Sequence, residues 1–186
     1  MSVSAGSVVG GVLCGGRSRR MGRPKESLDY GGRTFLDLAV ARHGPGRVLV
    51  SGEAAHPAAE TVPDLRPDAG PLGGLESMLA AADAEWLVVS PVDAPLLTAA
   101  DLARLLDTRR SDEAVVARAG GRIHATVAAF HVETCRPAVV ALLDRGERRA
   151  DAVVESIRCR LVDLDVERLV NVNTPVDFDR LPRSRS

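Results

Sequence analysis

Short apolar runs that end in glycine-, proline- or aspartate-containing turns recur along the chain. Val8–Leu13 is apolar and breaks into Cys14-Gly15-Gly16, which predicts a strand ending in a loop. Residues 86–89 are continuously apolar, as in a parallel strand covered on both faces, and lead into the polar turn 90–95. Further strands are predicted at residues 47–50, 114–117 and 126–130.

Helices are predicted between these strands from apolar residues at three- and four-residue intervals. One such set shares a single helical face: Leu72, Leu75, Met78, Leu79 and Ala82. Helices are also predicted at Phe35–Ala41, at 133–143 and beyond a cap at Thr98 or Asp101. The alternation predicts an α/β fold, a three-layer αβα arrangement in which a mostly parallel sheet carries helices on both faces.

The ends of two predicted strands indicate where a ligand would bind. In open sheets of this class, ligands lie beyond the carboxyl ends of the strands. The Gly15-Gly16 loop follows the first strand and Asp93 follows the strand at 86–89. Both are therefore predicted to face one crevice.

Length and composition narrow the class of protein. The 186 residues suffice for one compact domain, predicted over 1–181, and residues 182–186 are expected to form a disordered tail. The sequence has 24 Lys+Arg and 25 Asp+Glu, so its charges nearly cancel and the protein has no net positive charge that would attract nucleic acid or acidic lipid. The three cysteines have no CxxC spacing, and no secretory signal or membrane-spanning run is present. We expect a cytoplasmic protein with reduced thiols and with neither a nucleic-acid partner nor membrane association.

A dense basic segment follows the first predicted strand. Its cationic residues are Arg17, Arg19, Arg20, Arg23 and Lys25. Glycines let backbone amides approach a phosphate, arginine offers bidentate contacts and lysine a mobile point charge, so a triphosphate would satisfy the segment. The alternative is a solvated basic turn or an RNA-contacting loop. The segment matches neither the Walker A nor the dinucleotide-binding glycine pattern.

Carboxylates and amides elsewhere each have a functional and a structural interpretation. Asp93 could hold Mg²⁺ together with phosphate oxygens and water, or could cap a helix or shape a turn. Asp64 and Asp68, in a proline- and glycine-rich loop, could accept hydrogen bonds from a base or ribose, or serve only as turn residues. Asn171 and Asn173 could contribute to a site or form a turn and helix cap.

Basic residues and histidines later in the chain give weaker indications. Arg148 and Arg149 could grip an acidic ligand or be solvated. His124 and His131 flank a predicted strand and have no Ser, Cys or paired carboxylate at a spacing that suggests a catalytic triad. A structural role is the default for both histidines.

Taken in order, these segments resemble one family, the molybdenum cofactor guanylyltransferases of the MobA group. The stretch 13–25, LCGGRSRRMGRPK, is similar to the family signature LAGGxSxRMGxxK. Shorter similar stretches are GPLGG at 70–74, PVDAP at 91–95, GERR at 146–149 and NVNTP at 171–175.

The resemblance implies a nucleotide-diphospho-sugar transferase fold with a Rossmann-like N-terminal half. It also implies that the terminal phosphate of molybdopterin attacks the α-phosphorus of GTP and releases pyrophosphate, with Mg²⁺ as cofactor. Lys25, Asp93 and Arg20 would be catalytic, and Asp93 would hold the metal. The nucleotide would be bound by Leu13, Cys14, Gly15, Gly16, Lys25, Ser51, Asp64 and Asp93. The acceptor would be bound by His124, Arg148, Arg149, Asn171 and Asn173.

The chain departs from the family pattern at three places. Cys14 replaces the usual Ala, Ser51 stands where relatives have Asn, and the loop after Asp64 is slightly short. Gly15 favours guanine, because cytidylyl-transferring relatives have a first motif that resembles LAAG. Alternatives are CMP transfer to molybdopterin, a sugar-phosphate nucleotidyltransferase, and a nonenzymatic nucleotide- or RNA-binding module, although aromatic residues at 3% offer few stacking platforms for RNA. Transient contact with proteins that supply or accept the cofactor is a further expectation.

Overall fold

The computed structural model describes residues 7–15 and 23–182, and its centre is a seven-stranded sheet of order β3-β2-β1-β4-β6-β5-β7. The strands are β1 Val8–Leu13, β2 Val48–Ser51, β3 Glu60–Val62, β4 Trp86–Pro91, β5 Ala114–Ala119, β6 Arg122–His131 and β7 Cys159–Asp163. The helices of the described residues are α1 Phe35–Ala41, α2 Gly70–Ala81, α3 Ala99–Asp107, α4 Val132–Asp144, α5 Asp151–Ser156 and α6 Pro175–Asp179. Short 3₁₀ turns lie at Lys25–Ser27 and Val166–Leu169.

The strand directions confirm the predicted α/β class with a mostly parallel sheet. The strands β1 to β4 are mutually parallel, β5 and β7 are parallel to each other, and β6 runs antiparallel to both of its neighbours. Two strands and one helix were missed by the sequence pattern: β3, β7 and α5. The reason is local, because β3 has three residues and β7 has a largely solvent-facing pattern, so neither shows a buried apolar run. His124 and His131 lie inside β6 rather than flanking it.

Each face of the sheet carries its own apolar core. On one face Leu72, Leu75 and Met78 of α2 pack against Leu87 and Val89 of β4. On the other face α1 and α3 cover the sheet through separate clusters. Helices on both faces are therefore confirmed.

The helix caps follow directly from the sequence. Thr98 is the N-cap of α3, and Asp101 completes a reciprocal capping box with it, so both residues offered as caps take part. The same arrangement begins α6, where Thr174 caps the helix and Asp177 returns the hydrogen bond. The helix therefore begins at Pro175, but its cap is Thr174 and not Asn171 or Asn173, the two residues offered for that role.

Gly10 is required where a buried histidine crosses β1. A Cβ at Gly10 would lie 2.7 Å from the ring of His43, whose Nε2 is 3.0 Å from Oγ of Ser90. Burial lowers the pKa of His43 to about 3, so the ring is neutral. His43 is therefore a packing residue, which its loop-like sequence context did not indicate.

The described residues include no helix with the length and apolar character that crossing a bilayer requires. Pro182, the first residue of the predicted tail, accepts a 2.5 Å hydrogen bond from the Tyr30 hydroxyl. Residues 183–186 lie outside the described part of the chain.

Candidate active site

The carboxyl ends of β1 and β4 lie side by side. The two strands are paired in register from Val8 and Trp86 onward, and beyond the last pair the Val92 amide donates to the Leu13 carbonyl at 3.0 Å. The turn at Gly15 and the turn at Asp93 therefore leave the sheet next to each other. This is the convergence that the order of strands and turns predicts.

The turn after β1 is held by a buried serine. Ser51 Oγ accepts a 3.1 Å hydrogen bond from the Cys14 amide and donates one of 3.2 Å to the Cys14 carbonyl. Gly52 follows with φ +87°, and a Cβ there would lie 2.9 Å from the Cys14 carbonyl oxygen. The backbone at Cys14 is thus fixed by two neighbouring residues of β2 and its exit.

The side chains of Leu13 and Cys14 are buried, whereas the backbone at Gly15 is open. Leu13 and Cys14 are buried, and burial raises the pKa of the Cys14 thiol to about 12, with the charges of Glu26 and Asp93 adding to the effect. The thiol is therefore not a nucleophile at neutral pH. Gly15 is exposed with φ +154°, and the place of a Cβ has no atom within 4 Å. Only a glycine leaves this backbone accessible without strain.

Lys25, the last residue of the basic segment, forms an ion pair with Asp93. Its Nζ donates to Oδ2 of Asp93 at 2.7 Å and to Oδ1 of Asn173 at 2.6 Å. Asn173 was predicted on the acceptor side, and its side chain contacts the lysine predicted to bind the nucleotide phosphates. The backbone reinforces this meeting, because the Val172 amide donates to the Asp93 carbonyl at 2.8 Å.

Asp64 lies at the same edge of the sheet, beyond β3. It is exposed, and its pKa is raised by partial desolvation and by the charge of Glu53. The loop that carries it is anchored to α2, since the Leu65 amide donates to Ser77 Oγ and Arg66 pairs with the buried Glu76. Two strand spacings, about 10 Å, separate β3 from β1.

One predicted acceptor residue, His124, lies in β6, which neighbours β4 on the side away from β1. The β4–β6 register ends with Val89 paired to Ala128, and His124 pairs with Ala117 of β5 beyond a register shift between these two pairs of β6. The pKa of His124 is lowered by desolvation and by Arg122. Three further predicted acceptor residues are exposed: Arg148, Arg149 and Asn171.

The loop that holds the two arginines reaches the start of α2. The Arg148 carbonyl accepts from the Leu72 amide at 3.4 Å, and a Cβ at Gly70 would lie 3.0 Å from the same oxygen. Glu147 Oε1 accepts from the Arg148 and Arg149 amides, which lowers the pKa of Glu147. Glu147 therefore orders the loop, a role that the sequence pattern did not assign to it.

Two predicted site residues, Gly16 and Arg20, lie outside the described residues. Among the others, Asn173 contacts Lys25 and the Arg148 backbone contacts the start of α2, so the nucleotide and acceptor candidates do not separate into two sides of the sheet.

The donor set around Asp93 fits a hard divalent cation. Within 7–15 and 23–182, no three His, Cys, Asp or Glu side chains gather as a metal-binding group. Mg²⁺ needs only one or two carboxylates, because phosphates and water complete its six ligands. The oxygens of Asp93 and Asn173 converge on the ammonium of Lys25, so a cation is already accommodated between them.

Comparison with known proteins identifies the family. Residues 10–161 match the family described as the MobA-like NTP transferase domain. The chain belongs to this family. The molybdenum cofactor guanylyltransferase of Xanthomonas euvesicatoria pv. vesicatoria is 38% identical over 92% of this chain and 93% of its own length. The protein of the same name from Yersinia pseudotuberculosis is 27% identical, with 96% and 97% covered.

Solved structures show the same fold. Molybdopterin-guanine dinucleotide biosynthesis protein A from Archaeoglobus fulgidus has a TM-score of 0.76 at 19% identity, over 92% of this chain and 95% of that chain. A 2-C-methyl-D-erythritol 4-phosphate cytidylyltransferase from Thermus thermophilus has a TM-score of 0.70 at 20% identity, with 94% and 95% covered. At these identities the likeness shows the MobA-like fold alone.

For this MobA-like transferase we predict that Ser51→Ala weakens both the fold and the site. The substitution leaves the buried Cys14 amide without the hydroxyl that accepts its hydrogen bond. We expect a loss of about 1–3 kcal/mol in the free energy of unfolding, measured by urea denaturation, and weaker GTP binding, measured by calorimetry.

A control is Ser156→Ala, which removes the hydroxyl of an exposed serine that donates to the Val153 carbonyl at the end of α5. It is expected to leave GTP affinity unchanged. Unaltered GTP affinity in Ser51→Ala would show that the turn keeps its shape without the serine.

Proposed function

We propose that this protein transfers GMP from GTP to the terminal phosphate of molybdopterin, releasing pyrophosphate and forming the guanine dinucleotide cofactor. The observation that carries the proposal is the contact of Lys25 with Asp93 beside the open Gly15 turn. The names of the relatives, molybdenum cofactor guanylyltransferase, add the identity of the substrates.

On this proposal the first turn recognises the base. The backbone of Leu13, Cys14 and Gly15 would face guanine, and Gly16 would also contribute to nucleotide binding. Ser51 would act through Cys14, because both of its hydrogen bonds go to that backbone. The exposed Asp64, whose pKa is raised, would accept a hydrogen bond from the nucleoside.

The charged residues would bind the phosphates of the nucleotide and the metal ion. Lys25 and Arg20 would bind phosphate oxygens and stabilise the departing pyrophosphate, while Asp93 would hold Mg²⁺. A bound Mg²⁺ would neutralise charge on the triphosphate and orient it for in-line displacement. Asn173 would orient Lys25, to which it is bonded.

The acceptor would attack without a covalent enzyme intermediate. A phosphate monoester has a second pKa near ~6 and is already largely a dianion at neutral pH, so alignment matters more than a strong base. His124, Arg148, Arg149 and Asn171 would hold the acceptor. The protonated Cys14 thiol gives no support to a covalent route.

Nucleotide selectivity tests the function. We expect GTP with Mg²⁺ to raise the midpoint of thermal unfolding, and CTP and UTP to raise it little, because only ligands that prefer the native state stabilise it. Pyrophosphate release should require both GTP and molybdopterin. Release with CTP and molybdopterin would instead assign cytidylyl transfer, and RNA binding in moderate salt without any response to GTP would indicate a nonenzymatic module.

Three expectations from the sequence stay predictions within this proposal. They are a cytoplasmic location, the lack of a nucleic-acid partner, and transient contact with proteins that supply or accept the cofactor.

A further inference from the structure

The ammonium of Lys25 fills the position between two oxygens. Its distances to Asp93 Oδ2 and Asn173 Oδ1, 2.7 and 2.6 Å, are at the short end for hydrogen bonds from an ammonium. The side chains of Lys25 and Asp93 are only 19% and 17% exposed, so the contact is shielded from bulk water. Two oxygens that converge on one point form a cation position, and the protein's own cation occupies it.

The fold holds the backbones of Asp93 and Asn173, which carry the two oxygens, whereas the Lys25 side chain is a flexible stem. Asp93 is fixed by the Val172 amide at its carbonyl, and the Asn173 amide donates to Asp177 Oδ2 at 3.0 Å. Asp177 is itself part of the capping box of α6. Lys25 has a flexible four-carbon stem, so its ammonium can swing to another partner while the backbones that carry the two oxygens stay in place.

The choice of lysine at this position is itself informative. Lys25 is the only lysine in the sequence, and the other 23 of the 24 basic residues are arginines. An ammonium is a compact point charge, whereas a guanidinium is a broad planar fork. Lysine therefore stands at the one position where a compact cation lies between the oxygens of Asp93 and Asn173, and arginine is the basic residue everywhere else in the sequence.

A divalent metal and the ammonium cannot share Asp93 in this arrangement. Mg²⁺ binds carboxylate oxygens at about 2.0–2.1 Å. A metal on Oδ2 would therefore lie less than about 5 Å from Nζ of Lys25, and two cations at that distance in a shielded site repel strongly. One of them has to leave.

We propose that Lys25 is a resident counter-ion that closes the Asp93–Asn173 position to divalent metal until a nucleoside triphosphate draws the ammonium away. The inference rests on the proposed function, because it takes the nucleotide phosphates as the alternative partner of Lys25. Metal and nucleotide then bind with positive coupling, and by linkage each raises the affinity of the protein for the other.

Metal binding without nucleotide tests the proposal. Mn²⁺ is titrated into nucleotide-free full-length protein and free Mn²⁺ is measured by electron paramagnetic resonance. Lys25→Gln removes the charge while keeping hydrogen-bond donors toward Asp93 and Asn173, and we expect it to bind Mn²⁺ at least about tenfold more tightly than the wild type. Lys25→Arg changes the shape of the cation but keeps a positive charge beside Asp93, and because the repulsion of the metal depends on that charge, its Mn²⁺ affinity is expected to stay within about threefold of the wild type. Equal affinity in the wild type and Lys25→Gln, or tight binding in Lys25→Arg, overturns the proposal.

The single lysine also gives a direct spectroscopic readout. Protein labelled with ¹⁵N at lysine Nζ has one lysine side-chain signal, that of Lys25. Mg²⁺ alone is expected to leave this signal in place, and GTP with Mg²⁺ to shift it. A shift with Mg²⁺ alone as large as that with GTP and Mg²⁺ contradicts the closed position.

Thermal stabilisation by GTP, measured on the same wild-type samples, separates this inference from the proposed function. If GTP with Mg²⁺ gives no stabilisation and no turnover, the proposed function fails. If GTP stabilises the protein while the Mn²⁺ affinities of the wild type and Lys25→Gln are equal, only the counter-ion role fails.

Discussion

Asp93→Asn is expected to reduce GTP-dependent pyrophosphate release by about 10²- to 10³-fold, the cost typical of losing one preorganised electrostatic contact to a transition state. The substitution keeps the size of the side chain and removes the charge that would bind Mg²⁺. It also removes the ionic partner of Lys25 at 2.7 Å. Steady-state turnover with molybdopterin, measured over a range of Mg²⁺ concentrations, gives the result.

The matched control for this prediction is Asp83→Asn. Asp83 is exposed in the turn after α2, at the opposite end of the sheet from Asp93. Turnover of Asp83→Asn should equal that of the wild type, and circular dichroism should show both variants folded. Turnover of Asp93→Asn within a few-fold of the wild type would remove Asp93 from the mechanism.

Gly52→Ala is expected to cost about 2–5 kcal/mol in the free energy of unfolding, from backbone strain and overpacking together. At φ +87° an alanine is strained, and its Cβ would lie 2.9 Å from the Cys14 carbonyl oxygen. That oxygen belongs to the turn predicted to face guanine and is already bonded to Ser51. GTP affinity should therefore fall together with stability, as measured by calorimetry and urea denaturation.

Gly32→Ala separates the two causes. Gly32 has φ +79°, and no atom lies within 4 Å of the place of a Cβ. It should lose only the strain contribution, about 1–2 kcal/mol, and should bind GTP as the wild type does. If both glycine variants lose the same free energy and keep GTP affinity, the contact with Cys14 has no consequence.

Most of the fold could be predicted from local sequence patterns. β1, β4, α2 and α3 follow from apolar runs, helical periodicity and a capping threonine, because each pattern records which side of the element is buried. The elements that were missed have weak patterns of this kind. β3 has three residues and β7 is mostly solvent-facing, so their pairing depends on neighbours distant in sequence.

The candidate site was only partly visible in the sequence. Gly15, Lys25 and Asp93 stand out because glycine, lysine and a strand-end aspartate have distinctive local chemistry. Ser51 and Gly52 act on the Cys14 backbone across a strand pair, and no spacing in the sequence reveals that contact. Such contacts are set by strand register, which depends on the packing of the whole sheet.

The sequence by itself determined the alternation of strands and helices, the family signature at 13–25 and the two turns that meet at the carboxyl edge of the sheet. The tertiary structure alone decided that Asn173 reaches Lys25 across 148 residues and that the two oxygens close around one ammonium. The physical reason is the distance along the sequence over which each kind of interaction acts. Backbone preference and burial leave a periodic record along the chain, whereas a convergence of charged and polar side chains exists only after the elements that carry them have packed.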